Sequence, residues 1–253
     1  MINIKTEEEI EIMAEAGRRL AKVMSSLKGM VVVGLKTQEI DSEAKRLIKE
    51  MDCAPAFLGY TPGGAVAPYS ATICASINDE VVHGIPSDYE LENGDILKLD
   101  IGLVYKKYYS DMAITVAIGS ISKNEQKLIS VTREALEKAI SAARSGNTLG
   151  DIGYAVESFV KKNGFSVAQD LTGHGIGKKL HEDPYVFNFG EPGDGEELKP
   201  GMVLALEPMV AVGKGRVRQR FDDTFVTADG SKSAHFEHTV AITEKGTIVL
   251  TAM

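Results

Sequence analysis

Tryptophan is absent from the 253 residues, and cysteine occurs only as Cys53 and Cys74. Two cysteines in unlike contexts cannot staple a chain this long, and their spacing matches no zinc motif. Both read as reduced thiols, so a reducing compartment, the cytoplasm, is expected. No apolar run approaches the ~20 residues that span a bilayer, so no membrane partner is expected. The opening stretch "MINIKTEEEIEIMAEAGRRL" has neither the basic flank nor the apolar core of a signal peptide. An excess of positive charge is missing too. The net charge of −8 argues against a dedicated or sequence-specific nucleic-acid binder. One short basic run, "GKGRVRQR" (Gly213 to Arg220), reads as a solvated turn. The chain contains no G-x-S-x-G, no H-E-x-x-H, no P-loop and no dinucleotide fingerprint, so those chemistries have no support.

What is present suits one globular unit over 1–253, with 43% hydrophobic and 25% charged residues. Thr6 with Glu9 forms a capping box, and Ile10, Met13, Leu20, Met24 and Leu27 recur behind it at helical spacing. A second helix follows Thr37 through Ile40, Ala44, Leu47, Ile48 and Met51. "GYTPGGAVAPYS" reads as a loop, and strands follow in "ATICASI", "GDILKLDIGLVY" and "YYSDMAITVAIG". Ser122 with Glu125 opens a third helix, and a fourth starts near Thr148 and ends at Gly164. Short strands complete the chain.

The order helix, helix, strands therefore occurs twice, which predicts an α+β fold with an internal duplication, roughly 1–120 and 121–253. "ELENGDILKLD" (Glu90 to Asp100) aligns with "ELKPGMVLALE" (Glu197 to Glu207), and "SDMAITVAI" aligns with "FEHTVAIT". Asp100 then falls on Glu207, and Asp111 on Glu237. In the first pair of strands Leu97, Leu99, Ile101 and Leu103 share one face with Asp100 on the other, and Met112, Ile114 and Val116 oppose Asp111. The two strands form a hairpin through "VYKKY", and a register symmetric about it sets Asp100 beside Asp111, roughly 5 Å apart. Like charges so placed need a shared proton, a neighbouring Lys or Arg, or a bound cation. If the halves pair about a pseudo-twofold axis, four carboxylates converge, and a pair of divalent cations compensates them best.

The segment "LTGHGIGKKLHEDP" (Leu171 to Pro184) holds two of the five histidines and has no helix or strand signal. An imidazole added to carboxylates shifts preference from Mg or Ca toward Mn, Fe, Co or Zn. His174 is the expected ligand. Its glycines allow close backbone approach and unusual dihedrals. His181 can face a substrate from the same loop, and His83, in "NDEVVHGIP", sits at the matching place in the first half. Met209 reads as core, and Cys74 as a small filler that can line the pocket.

The set "HGIP", "LDIG", "YYSDMA", "TGHGIG", "HEDP", "LEPM" and "FEHT" closely resembles bacterial-type, type I methionine aminopeptidases, over almost the whole chain. The resemblance implies a pita-bread fold, a curved antiparallel sheet covered by helices. It implies a cytoplasmic, monomeric metallo-exopeptidase that removes the N-terminal methionine of nascent chains near the ribosome when the next residue is small. Two divalent ions are implied, Co, Mn, Fe, Zn or Ni, with Asp111 and Glu237 bridging them, Asp100 on one ion and His174 and Glu207 on the other. Glu207 would also move protons, with His83 and His181 contacting substrate. Tyr60, Tyr69, Cys74 and Leu180 would form the methionine pocket. The resemblance is to the short form, in which no zinc-finger extension is expected before the catalytic unit. The alternatives are a proline-directed relative, which usually carries an additional N-terminal domain, and a non-catalytic binding module, which usually loses ligands. Three departures bear on specificity: the chain is longer than the usual bacterial pattern within 61–68, Leu180 stands where Phe is common, and "RFDDTFV" has no Trp.

Overall fold

The structure, a computed structural model, describes residues 2–61 and 67–252. The first half of the chain forms α1 (Glu7–Met30), α2 (Thr37–Glu50), β1 (Ala54–Pro55), β2 (Ile73–Ile77), β3 (Glu80–Val82), β4 (Ile96–Tyr105) and β5 (Tyr108–Ala117). The second forms α3 (Lys123–Ala142), α4 (Leu149–Lys162), β6 (Ser166–Val167), β7 (Thr172–Gly175), β8 (Glu182–Phe187), β9 (Val203–Leu206) and β10 (Met209–Ala211). It ends with β11 (Val217–Gln219), β12 (Phe225–Thr227), β13 (Ser233–His235), β14 (Glu237–Thr243) and β15 (Gly246–Val249).

Three of the four helices start where side-chain capping places them. The expected boxes at Thr6/Glu9 and Ser122/Glu125 are both closed, and Thr148/Asp151 adds a third. Gly164, at φ +86, follows the end of α4 in the left-handed conformation that glycine adopts without strain. The apolar stripes face inward. Leu20, Met24 and Leu27 of α1, Ile40 and Ile48 of α2, Leu128 and Ala135 of α3, and Ile152 and Val156 of α4 all belong to one core.

That core lies against one face of a nine-stranded antiparallel sheet ordered β1-β4-β5-β14-β9-β7-β8, with β2 also on β4 and β15 on β14. Leu97, Leu99, Ile101 and Leu103 of β4 and Met112 and Ile114 of β5 cover the helices. Each such side chain contributes roughly 1.5–3 kcal/mol on burial, which holds the opposite face in a fixed orientation. Curled antiparallel strands under helices are the α+β pita-bread arrangement. Among the described residues, no helix is long and apolar enough to cross a membrane.

Two expectations are corrected. Tyr105 pairs with Tyr108, so the hairpin turns on Lys106 and Lys107 alone, both at positive φ (47° and 72°). Two consecutive positive φ values make a type I′ turn. This register sets Asp100 opposite Ala113 and Asp111 opposite Gly102. The two acids are therefore diagonal neighbours on one face, not directly opposed. Second, "TGHG" is strand β7, not loop. Its glycines answer crowding between strands: a Cβ on Gly173 would collide with the Ala205 carbonyl, and one on Gly175 with that of Asp183. Neither glycine has a positive φ. Of the extended 61–68 stretch, residues 62–66 lie outside the described residues.

Candidate metal centre

Five neighbouring strands of the sheet each present one candidate ligand on the face away from the helices. In sheet order these are Asp100 on β4, Asp111 on β5, Glu237 opening β14, Glu207 just past the end of β9, and His174 on β7. The register explains the convergence. Ala113 pairs with Asp100 on one side and Glu237 on the other. His238 pairs with Leu206, so one step along, Glu237 faces Glu207. In the parallel row His174 pairs with Ala205, which pairs with Thr239. The Thr239 hydroxyl accepts from the Asp111 N–H (3.0 Å) and donates to the Asp111 carbonyl (2.8 Å). Ligands thus alternate with Ala113, Thr239, Ala205 and Gly102, small residues that leave room between the carboxylates.

One ligand atom each from Asp111, His174 and Glu237 lie within 4.8 Å of one another. His174 Nε2 is 3.7 Å from Glu207 Oε1. Its Nδ1–H donates to the Gly175 carbonyl at 2.9 Å, which leaves Nε2 as a bare lone pair facing the acids. Burial pulls His174 down to about 4, so it is neutral near pH 7. Burial pushes all four carboxyls up. Asp111 reaches about 7, and Asp100, Glu207 and Glu237 are held well above the usual carboxylate range by burial with the added repulsion of their neighbours. Among the described residues no Lys or Arg pairs with any of them. Lys98 shares the face of Asp100, but its Nζ donates to the Asn78 carbonyl at 2.8 Å, and burial pulls it to about 7. Asp100 Oδ1, Asp111 Oδ1 and Glu237 Oε1 are buried without hydrogen-bond partners. Orphaned hard oxygens beside an unprotonated imidazole are what divalent first-row cations require, and the residues fit them.

The remaining expected residues surround the same cavity, of about 470 Å³. His83, Tyr60, Tyr69, Cys74, Leu180 and His181 all line it, together with the five candidate ligands. His83 is held at φ +63, an uncommon conformation for a side chain of its kind, and its ring stands edge-on to Phe225 at 5.6 Å. Gly84 follows because a Cβ there would meet the Ala75 carbonyl and Ser76 backbone. His181 stands exposed at the mouth, its ring 4.4 Å from that of His174 and its Nδ1 2.8 Å from the Tyr60 hydroxyl. The residue that follows it, Glu182, is pinned by a buried ion pair with Lys5 at 2.8 Å. The Tyr69 hydroxyl lies 3.0 Å from the carbonyls of Ile73 and Gly84. Met209, expected in the core, is buried and also reaches the cavity wall.

The family model of metallopeptidase family M24 matches residues 11–244. The chain belongs to that family. It is 44% identical over 252 residues, 99% of each chain, to methionine aminopeptidase 1 of Bacillus subtilis. The solved methionine aminopeptidase of Thermotoga maritima superposes with a TM-score of 0.95 at 42% identity, covering 100% of both chains. The prolidase of Pyrococcus furiosus is more distant, with a TM-score of 0.77 at 26% identity, covering 99% of this chain and 65% of that one. Within the M24 family this chain therefore lies with the methionine aminopeptidases, and divalent metal use comes with the family.

Some cavity residues were not legible in the sequence. Phe57, Tyr185 and Phe225 line the wall, yet nothing in their local pattern separates them from ordinary apolar positions. His235 is the larger omission. It closes β13, is 1% exposed, and places Nε2 3.4 Å from Glu207 Oε2. The alternation "SAHFEHT" signals a strand but does not say which histidine stands beside an acid from another strand.

Proposed function

We propose that this chain removes the N-terminal methionine from nascent proteins and peptides whose second residue is small. The observation that carries the reading is the delivery of Asp100, Asp111, Glu237, Glu207 and His174 to one buried face by five adjacent strands. In this reading two divalent ions would be held there. Asp111 and Glu237 would serve both, Asp100 would serve one, and His174 with Glu207 would serve the other; Co, Mn, Fe, Zn and Ni all suit the donor set. When bound, such ions supply Lewis-acid chemistry, acidifying a water and polarising a carbonyl.

The protein groups divide the remaining work. Glu207 takes a proton from the attacking water on a carboxylate oxygen and returns it to the departing amine. His181 donates from Nε2–H to the carbonyl oxygen as charge develops on it. For that, Nδ1 must accept, and the Tyr60 hydroxyl at 2.8 Å is the donor that fixes this tautomer. His83, clamped at its φ of +63, positions the scissile amide. Tyr60, Tyr69, Cys74 and Leu180 form an apolar slot of thioether size. The setting in this reading is a monomer in the cytoplasm, meeting chain ends near the ribosome.

The test is release of methionine from Met-Ala-Ser set against cleavage of an X-Pro dipeptide. The reading expects the tripeptide to be cleaved and the dipeptide left intact. Preference for the dipeptide would move the chain to the proline-directed branch, and cleavage of neither would remove the peptidase reading.

A further inference from the structure

His235 has no role in the scheme above, yet its surroundings are unusual. The ring is 1% exposed, and neither Nδ1 nor Nε2 has a hydrogen-bond partner. A buried polar group left unmatched costs about 1–3 kcal/mol, so such a side chain needs a compensating neighbour. Its backbone is fixed on both sides. His235 pairs with Met209 in the β10–β13 ladder. The Thr115 hydroxyl donates to its carbonyl at 2.6 Å and accepts from its N–H at 2.9 Å. The ring therefore cannot drift toward solvent. It stands behind the residues that line the cavity. What it meets is Glu207: Nε2 stands 3.4 Å from Oε2, while Oε1 stands 3.7 Å from His174 Nε2. The Glu207 carboxylate hangs between two imidazoles, one facing the cation site and one behind it.

We propose that His235 is a positioning residue: its Nε2–H holds Glu207 Oε2 from behind and so turns Oε1 toward the ion shared with His174. The inference rests on the reading that this face binds cations. A carboxylate ligand has two oxygens and a free rotation about its last bond. A donor on the far oxygen removes that freedom, and loss of such a partner typically lowers metal affinity or activity 10–100-fold.

Two experiments decide it. The first is calorimetric titration of chelated protein with Mn²⁺ for wild type, His235→Leu and His235→Gln, with methionine release from Met-Ala-Ser measured on the same samples. His235→Leu keeps bulk but has no donor. It should lose about 10–100-fold in affinity at one of the sites, with kcat falling and KM changing little. His235→Gln, whose amide can reach the same oxygen, should recover most of both. Wild-type affinity in a folded His235→Leu, or equal failure of the two variants, overturns the role. The second needs no variant. Long-range ¹H–¹⁵N spectra of histidine-labelled, Zn²⁺-loaded wild type should show His235 with its proton on Nε2; a proton on Nδ1 overturns the proposal even if His235→Leu does not fold. The titration uses no peptide, so it stays informative if Met-Ala-Ser is not the substrate. Wild type that binds no Mn²⁺ would instead defeat the cation reading itself.

Discussion

Tyr60 reaches His181 rather than only lining an apolar slot, and that changes what its removal should do. With the hydroxyl 2.8 Å from Nδ1 gone, the imidazole can take either tautomer, and only one donates from Nε2. Tyr60→Phe should lower kcat on Met-Ala-Ser by about 10-fold, less than the roughly 10²–10⁴-fold of a general acid–base group itself because only its tautomer is released, while Mn²⁺ affinity stays at the wild-type value. An unchanged kcat would show that the hydroxyl sets no tautomer. His83→Ala should retain its ions and lose turnover by ~100-fold or more; loss of ions on metal analysis would reassign the side chain as a ligand. At this scale the acids were legible because they fall on mirrored positions of two related segments, opposite the leucines, and His174 because a histidine in a glycine-rich run supplies the imidazole that the acids lack. His235 was not legible, because its significance depends on Glu207, which arrives from a different strand.

At the level of elements, helix starts were readable because capping is local, with the donor and acceptor three residues apart. The β4–β5 register was not. Type I′ turns favour Asn-Gly, and Lys106-Lys107 carries no such mark, so sequence symmetry alone misplaces the centre of the hairpin and sets Asp100 opposite Asp111. The diagonal arrangement is the more useful one, because Ala113 and Gly102 take the directly opposed places and leave space between the carboxylates. Two lysines at positive φ also store strain, about 1–2 kcal/mol for each residue so held. Replacing the pair by Lys106→Asn with Lys107→Gly should raise Tm by about 2–4 °C for each kcal/mol relieved, read by scanning calorimetry. A fall in Tm would mean that the lysine side chains contribute more than the turn geometry costs. The strand in "TGHG" was hidden for the opposite reason. Glycine weakens every local strand signal, and the cause of these glycines is a neighbouring carbonyl that only the folded sheet brings close.

Across the whole molecule, the repeated order helix, helix, strands was legible from periodicity, and we propose that 1–120 and 121–253 are copies of one unit. The isolated bridges Lys36–Glu90 and Thr148–Glu197 support this, since each ties the start of the second helix of its half to the segment before an acid-bearing strand. Gathering four carboxylates between the halves has a thermodynamic consequence. In the ion-free fold burial raises Asp111 from its ordinary 3.8 to about 7, so between those values the folded state holds a proton that the unfolded chain has released. The associated stability is present below about pH 4 and is lost as pH rises toward 7. His238, lowered by burial from 6.5 to about 4, acts in the opposite sense, costing stability as pH falls through that window. It is present with or without ions, so its effect cancels in the difference. The rise in Tm on adding Mn²⁺ should therefore be small at pH 5 and grow toward pH 8; a constant or shrinking rise would mean that the carboxylates do not exchange protons for cations. The most direct measurement is methionine release from Met-Ala-Ser in samples whose bound ions are counted, before chelation, after it, and after stepwise return of Mn²⁺ or Co²⁺. The account predicts that activity disappears with the ions and returns with them. Full activity in protein free of bound ions would contradict it.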